Sequence, residues 1–318
     1  MRPKSYLRPL LAALALLLLV PLWAQPAPAA PRRGPGQRPA WDRDVGRRNS
    51  HRPNRNERRR LRWGGKKDVI CSGKDVTRAV CKLGQRAGVN VSVIGQTAGR
   101  FPLYRMDIKG KTPRKGGKRP LKVLVSAGIH GNEVGGVATA LALAERASRG
   151  KGMRGFDITV LPMINATGQR RNAGGRDLNR CFRNGKWTSE TAAIRDALRG
   201  QKFDLFVDLH GARRHGFFLI RGQNDGNLSR RILSAMETGA LLDAAPGTRA
   251  SGPYKLHALG GAMTTTPGTF KGYMSRRVPY SYTLEYDRTL PPARQLQGNL
   301  KLLRSTLNNV AKHGKHHR

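Results

Sequence analysis

Leu121-Lys122-Val123-Leu124-Val125-Ser126-Ala127, followed at once by Gly128-Ile129-His130-Gly131-Asn132-Glu133, is the stretch whose reading decides the fold. Its first seven residues form a mostly apolar run suited to a strand buried on both faces. Residues 134–149 then take up helical spacing. A buried strand handing over to a helix is the unit from which α/β sheets are built. The same alternation runs outward on both sides. Residues 91–94 and 103–108 read as strands around a turn at Thr97-Ala98-Gly99, and residues 156–163 as a further strand. Beyond them the pattern predicts a helix at 189–198, strands at 203–209 and 217–220, a helix at 228–242, a strand at 280–286 and a closing helix at 296–310. The predicted class is α/β, with a mixed, largely parallel central sheet flanked by helices.

Open sheets of this kind place their sites at the carboxyl ends of the strands. His130 and Glu133 are three residues apart at such a junction, so both can face one point. A second strong strand ends in Asp208-Leu209-His210-Gly211 and offers a third donor. Two imidazoles and one carboxylate suit zinc and leave a fourth position for water. An isolated His-x-x-Glu is weak evidence. Two strand-end histidines in a chain with eight His make a stronger case.

Between these elements lies Asn165-Ala166-Thr167-Gly168-Gln169-Arg170-Arg171-Asn172-Ala173-Gly174-Gly175-Arg176-Asp177-Leu178-Asn179-Arg180, and further on Tyr280-Ser281-Tyr282-Thr283-Leu284-Glu285. In this order, the elements resemble the zinc carboxypeptidase family over roughly residues 90–312. The resemblance implies one zinc held by His130, Glu133 and His210, with Asp177 orienting the first histidine. It implies Glu285 as general base, Arg170 as the cation that polarises the scissile carbonyl, and Asn179 with Arg180 as the pair that holds a substrate's terminal carboxylate. Arg171, adjacent to Arg170, stays open for the same role. The implied activity is zinc-dependent metallocarboxypeptidase cleavage of C-terminal peptide or peptide-like amides.

The pattern also departs from the family. Asn165-Ala166-Thr167-Gly168 replaces a usual Asn-Pro-Asp-Gly, and Met263 falls where the carboxypeptidase A/B subgroup has a tyrosine. Thr266-Pro267-Gly268-Thr269 looks more like bacterial murein-peptide amidases, which implies a muropeptide substrate with a free carboxylate. Asp208-Leu209-His210 and residues 177–182 also resemble the succinylglutamate desuccinylase and aspartoacylase branch, so a deacylase of N-acyl amino acids competes. A non-catalytic polyanion- or wall-binding protein is the third reading, and the intact ligand and glutamate positions argue against it.

The chain has 318 residues and a net charge of +41, which points to anionic surroundings or an anionic substrate. Arg2, Lys4 and Arg8 precede a short apolar run, and Ala27-Pro28-Ala29 offers a cleavage site, so residues 1–29 read as a secretory signal peptide. Export to a periplasm or the exterior argues against nucleic acid as the partner. Residues 30–67 read as a disordered basic linker: 31–67 hold 14 Lys plus Arg and three acidic residues, too little apolar surface to offset ordering. Such a linker is either a solvated spacer or a tether to an anionic cell-wall polymer. Residues 68–88 form a short Cys-containing segment with a helix starting near Asp75, in which Cys71 and Cys81 could pair in an oxidising compartment while Cys181 stays unpaired. The catalytic domain is expected at 89–312, followed by a basic tail at 313–318 whose histidines read as solvated. His215 and His257 could line the cleft, though a lone His is more often structural.

Overall fold

The structure, a computed structural model, describes residues 73–110, 119–150, 153–213, 216–222, 225, 227–236, 256–257, 261–263 and 266–314. All belong to one compact unit, Val45–Arg318. The signal-peptide and linker segments, Cys71, the stretch predicted as helix beyond residue 236, and the side chains of His215, His257 and Met263 lie outside the described residues.

The strands are β1 (Val89–Gln96), β2 (Pro102–Ile108), β3 (Leu121–Ala127), β4 (Phe156–Leu161), β5 (Leu205–Ala212), β6 (Phe218–Arg221), β7 (Leu256–His257), β8 (Gly261–Met263) and β9 (Tyr280–Asp287). They form one sheet in the order β1-β2-β4-β3-β5-β9-β6-β8-β7. Its centre, β4-β3-β5-β9, is parallel, whereas the pairs β1–β2, β2–β4, β9–β6 and β8–β7 are antiparallel and β6–β8 is parallel. The sheet is therefore mixed with a parallel core, as the apolar runs in β3 and β5 predict.

Helices α1 (Gly73–Gly84), α2 (Val134–Ser148), α3 (Ser189–Ala197), α4 (Leu228–Leu233), α5 (Phe270–Met274) and α6 (Pro292–His313) cover the two faces. Strand periodicity decides which side chains meet which helices, because successive residues point to opposite faces. Leu124 and Phe206 join the apolar cluster with Ile194 of α3 and with Phe270 and Met274 of α5. On the other face α2 and α6 pack against each other and against β5 and β9. There Gly136 lies so close to β5 that a Cβ would stand 2.9 Å from the Leu209 carbonyl oxygen.

The described part of the segment set apart in the sequence at 68–88, residues 73–88, is joined to this body. Helix α1 packs on α2, β1 and β2, Tyr104 Oη donates to Thr77 Oγ1 at 3.1 Å, and Arg86 pairs with Glu145 at 3.0 Å. Its hydrophobic face, with Val76, Val80 and Leu83 buried, makes α1 part of the core. Most predicted elements are present with ends shifted by up to four residues, but the helix expected at 228–242 ends at Leu233, with residues 234–236 in a turn. Strand β5 starts two residues late and runs on to Ala212, so His210 sits within the strand, where pairing with β9 continues to Ala212↔Asp287. Among the described residues, no helix is long and apolar enough to cross a membrane.

Candidate metal centre and active site

The turn after β3 brings His130 and Glu133 together. Gly128 adopts φ 63, a conformation costly for other residues. A Cβ there would also stand 2.9 Å from Val137 Cγ2. The turn closes with Glu133 N–H donating to the His130 carbonyl at 3.1 Å. Glu133 is the residue before α2, a position where an acidic side chain often caps the helix. It makes no such bond here. Its carboxylate faces two imidazoles instead: Oε1 is 2.8 Å from His130 Nδ1 and Oε2 is 3.1 Å from His210 Nδ1. Gly211 N–H also donates to Oε2, at 3.1 Å. All three residues are buried, and one donor atom from each lies within 4.8 Å of the others.

The far sides of both rings are held by carboxylates. His130 Nε2 is 3.2 Å from Asp177 Oδ1, and His210 Nε2 is 3.0 Å from Asp208 Oδ2. A histidine that gives its Nε2 proton to a carboxylate keeps its Nδ1 lone pair for a metal. Both Nδ1 atoms face the same glutamate, so the donor set fits a divalent metal such as zinc. Burial works to raise the Glu133 carboxyl, but the imidazoles of His210 and His130 outweigh it and hold the group at about 2. Burial likewise opposes protonation of His210, and the charges of Asp208 and Glu133 overcome it and raise the imidazole well above its ordinary value.

Glu285 is opposite His210 in the β5–β9 register. It is partly buried, unlike the fully buried rest of β9, and opens onto a cavity of about 220 Å³. Burial, with the nearby charge of Glu133 adding to it and that of His210 opposing, lifts its carboxyl to about 7. The same cavity is lined by His130, Glu133, His210, Arg170, Asn179 and Arg180, so these predicted residues converge on one space.

The loop 165–180 supplies its cationic wall. Asp177 caps a single 3₁₀ turn, Leu178–Arg180, by accepting from Asn179 N–H at 3.0 Å, while the same oxygen faces His130. Burial would raise the Asp177 carboxyl, but the His130 hydrogen bond and charge, helped by Arg170 and Arg180, hold it below the ordinary range. Arg170 is exposed and donates to Asp177 Oδ2 at 3.3 Å. Arg171, by contrast, donates to the Gly175 carbonyl at 2.8 Å and is absent from the cavity lining. Arg180 is exposed and donates to the Asn179 carbonyl. Asn179 has a structural duty the sequence did not reveal: its Oδ1 accepts from Phe270 N–H at 2.9 Å and fixes the start of α5. Cys181 is buried beside this turn, with its thiol donating to the Asp177 carbonyl.

Three further residues serve the site without having been predicted. Asp208 lies two residues before His210, hence on the same strand face, and Ser126 Oγ donates to its second oxygen at 2.6 Å. That spacing was the available signal. Glu190, fully buried at the start of α3, accepts from Ala98 N–H and from Asn172 Nδ2. Asn172 Oδ1 in turn accepts from Gly174 and Arg176 N–H, so this pair anchors the loop that carries Arg170 and Asp177. Lys271 on α5 is 4% exposed and lines the cavity. Burial pushes its ammonium down to about 8, with the charge of Asp208 partly opposing. No local sequence signal marked either Glu190 or Lys271.

The fold is carboxypeptidase-like, and its site brings together a His-Glu-His group that could hold a metal. Residues 120–264, a little under half of the chain, match the succinylglutamate desuccinylase/aspartoacylase catalytic domain. Among solved structures it is similar to a Shewanella amazonensis protein described as a candidate metallopeptidase, with 20% identity over 74% of this chain and 92% of that one and a TM-score of 0.60. It is also similar to a metallo-carboxypeptidase from Burkholderia cenocepacia, with 19% identity, 75% and 69% coverage and a TM-score of 0.58. Bovine thrombin-activatable fibrinolysis inhibitor, solved with tick carboxypeptidase inhibitor, gives 16% identity, 76% and 96% coverage and 0.59. No curated protein matches by sequence.

Proposed function

We propose that the protein is a zinc-dependent metallocarboxypeptidase that hydrolyses the amide bond next to a free terminal carboxylate, in peptides or cell-wall peptides. The observation that carries this reading is Glu285, a carboxyl lifted to about 7 and opposite His210 on the neighbouring strand, at a cavity shared with Arg170 and Arg180. His130, Glu133 and His210 would hold the zinc. When bound, zinc supplies a Lewis acid that activates water and polarises a carbonyl. Glu285 takes the proton from the attacking water and passes it to the leaving amine, a role suited to a group poised near neutrality. Arg170, already at the Asp177 side of the cavity, faces the oxygen on which charge develops. Arg180 pairs with the terminal carboxylate, which its planar guanidinium can bind through two hydrogen bonds.

A second reading, deacylation of N-acyl amino acids, is favoured by the family match over residues 120–264. It uses the same residues and differs in what lies on the acyl side. A panel of C-terminal peptides, muropeptides and N-acyl amino acids, each as free acid and as amide, separates the two when products are read by mass spectrometry. The carboxypeptidase reading expects peptides to lose their last residue and amidated forms to be poor. Equal cleavage of amides and acids overturns both readings. Turnover confined to N-acyl amino acids selects the deacylase. Export through residues 1–29 and tethering of residues 30–67 to an anionic polymer accompany the proposal. Salt-sensitive retention on peptidoglycan by the full chain, absent from a chain lacking 31–67, is the expected result.

A further inference from the structure

At the end of the sheet opposite the candidate metal ligands lies a larger cavity, of about 390 Å³. Strands β3, β4, β5 and β9 have their amino ends on this side, whereas His130, His210 and Glu285 lie towards their carboxyl ends. The register sets Asp107 beside Thr159 and Lys122 beside Asp157, and residues 200–203, between α3 and β5, form a wall. Arg105 makes that wall rigid. Its guanidinium donates to both Asp107 oxygens at 2.8 and 2.9 Å, to the Ala197 carbonyl at 2.9 Å and to Gln201 Oε1 at 2.7 Å. Asp157 accepts from Gly110 N–H at 2.9 Å and pairs with Lys109 at 3.3 Å. Both acids of the cavity are thus met from within the protein. Lys122 and Lys202 are exposed, and among the described residues neither ammonium has a carboxylate partner; nearby Asp204 pairs with Arg119. A smaller cavity alongside shares Lys109 and adds the exposed Arg154, so the cations continue past the first opening.

We propose that this face is a second binding site, for a linear phosphate polymer that passes over Lys202, Lys122 and Lys109 towards Arg154. The order of those cations follows the order of the elements that carry them, from the loop before β5 across β3 to the end of β2. Compact ammonium groups are point charges that meet phosphate oxygens from several directions. The planar fork that would suit a carboxylate, Arg105, is already occupied. The one aromatic ring of the lining, Phe203, is buried, so the bases of a nucleic acid would find no surface to stack on. A polymer held here leaves the cleft at the far end of the strands open. The site is independent of the reaction assigned to that cleft.

A net charge of +41 draws any polyanion, so the test must separate place from charge. Binding of end-labelled inorganic polyphosphate to the full-length protein is followed by fluorescence anisotropy across a salt titration. Lys122→Gln with Lys202→Gln removes two charges from the cavity, and Arg294→Gln with Arg304→Gln removes two from exposed positions of α6. The cavity pair should weaken binding roughly tenfold and lower the slope of log K against log salt by about two, while the α6 pair stays within about twofold of wild type. Lys122→Arg with Lys202→Arg should bind as wild type does. Polyphosphate should also shield Lys109, Lys122 and Lys202 from acetylation, read by mass spectrometry, and leave Lys312 of α6 reactive. Equal losses from the two pairs, no loss from the cavity pair, or no shielding overturns the proposal. So does orthophosphate that displaces the polymer at equal phosphate concentration, which makes the site one for a single anion. Single-stranded DNA of matched charge, held more tightly through the same lysines, overturns it in favour of nucleic acid.

Discussion

At the scale of single residues, the site depends on carboxylates kept in different states by their surroundings. Glu133 is held ionised by two imidazoles, whereas Glu285, across one strand, is raised towards neutrality by burial and by the charge of Glu133. Glu285→Gln keeps the shape and removes the proton acceptor. It should retain zinc and bind substrate nearly normally while kcat falls by roughly 10²–10⁴-fold, checked by metal analysis and by kinetics per inhibitor-titrated site. Turnover near wild type would remove Glu285 from the mechanism. Glu190 has the opposite task. Burial opposes its ionisation, but the Ala98 amide and the Thr188 and Asn172 side chains outweigh it and lower its folded pKa. A carboxyl lowered in the folded state stabilises above its unfolded value of about 4.3, and that contribution is lost as pH falls through the lowered value. Glu190→Gln should therefore cost about 1–3 kcal/mol at pH 7. The gap to wild type should close in acid, as followed by urea unfolding from pH 7 to 3.

At the scale of elements, the close fit of α2 to the sheet is what places Glu133. Gly135 N–H donates to Tyr286 Oη at 2.9 Å, and a Cβ on Gly135 would lie 2.6 Å from Tyr286 Cζ. Gly135→Ala gains up to about 1 kcal/mol of helix propensity, yet overpacking against a buried ring costs roughly 1–3 kcal/mol. The expected net result is a lower denaturant midpoint with an unchanged slope. Strands β3, β5 and β9 were legible because runs such as Leu121–Ala127 have little polar interruption, and the site was legible where its residues sit at strand ends. Helix α5 was not: five residues with a Gly and a Lys carry no periodicity, and the Thr269 cap, the Asn179 bond and contact with Phe182 and Phe206 hold it as a helix. Strands β7 and β8, two and three residues long, exist only through pairing. Lys271 and Glu190 were hidden for the same reason, since their roles come from neighbours distant in sequence.

At the scale of the whole molecule, one prediction concerns the link between the metal and stability. The two imidazoles and Glu133 join the turn after β3, strand β5 and, through Asp177, the loop 165–180. A ligand present at a hundred times its Kd stabilises by about 2.7 kcal/mol. Chelation should therefore lower Tm by roughly 5–10 °C and abolish activity, with zinc restoring both in a thermal-shift and activity titration. Unchanged Tm and full activity in demonstrably metal-free protein would defeat the metal assignment. The place of β9 has a further consequence, for the order in which the molecule is made. It is inserted between β5 and β6 although it follows both by about sixty residues or more. A ribosome-bound chain delivers His130, Glu133 and His210 well before Glu285. Until Tyr280–Asp287 emerges, β5 and β6 each present an unpaired edge. A newborn chain thus acquires the candidate metal ligands first and the proposed proton acceptor last, and a truncation before Tyr280 would leave two sticky half-sheets without Glu285.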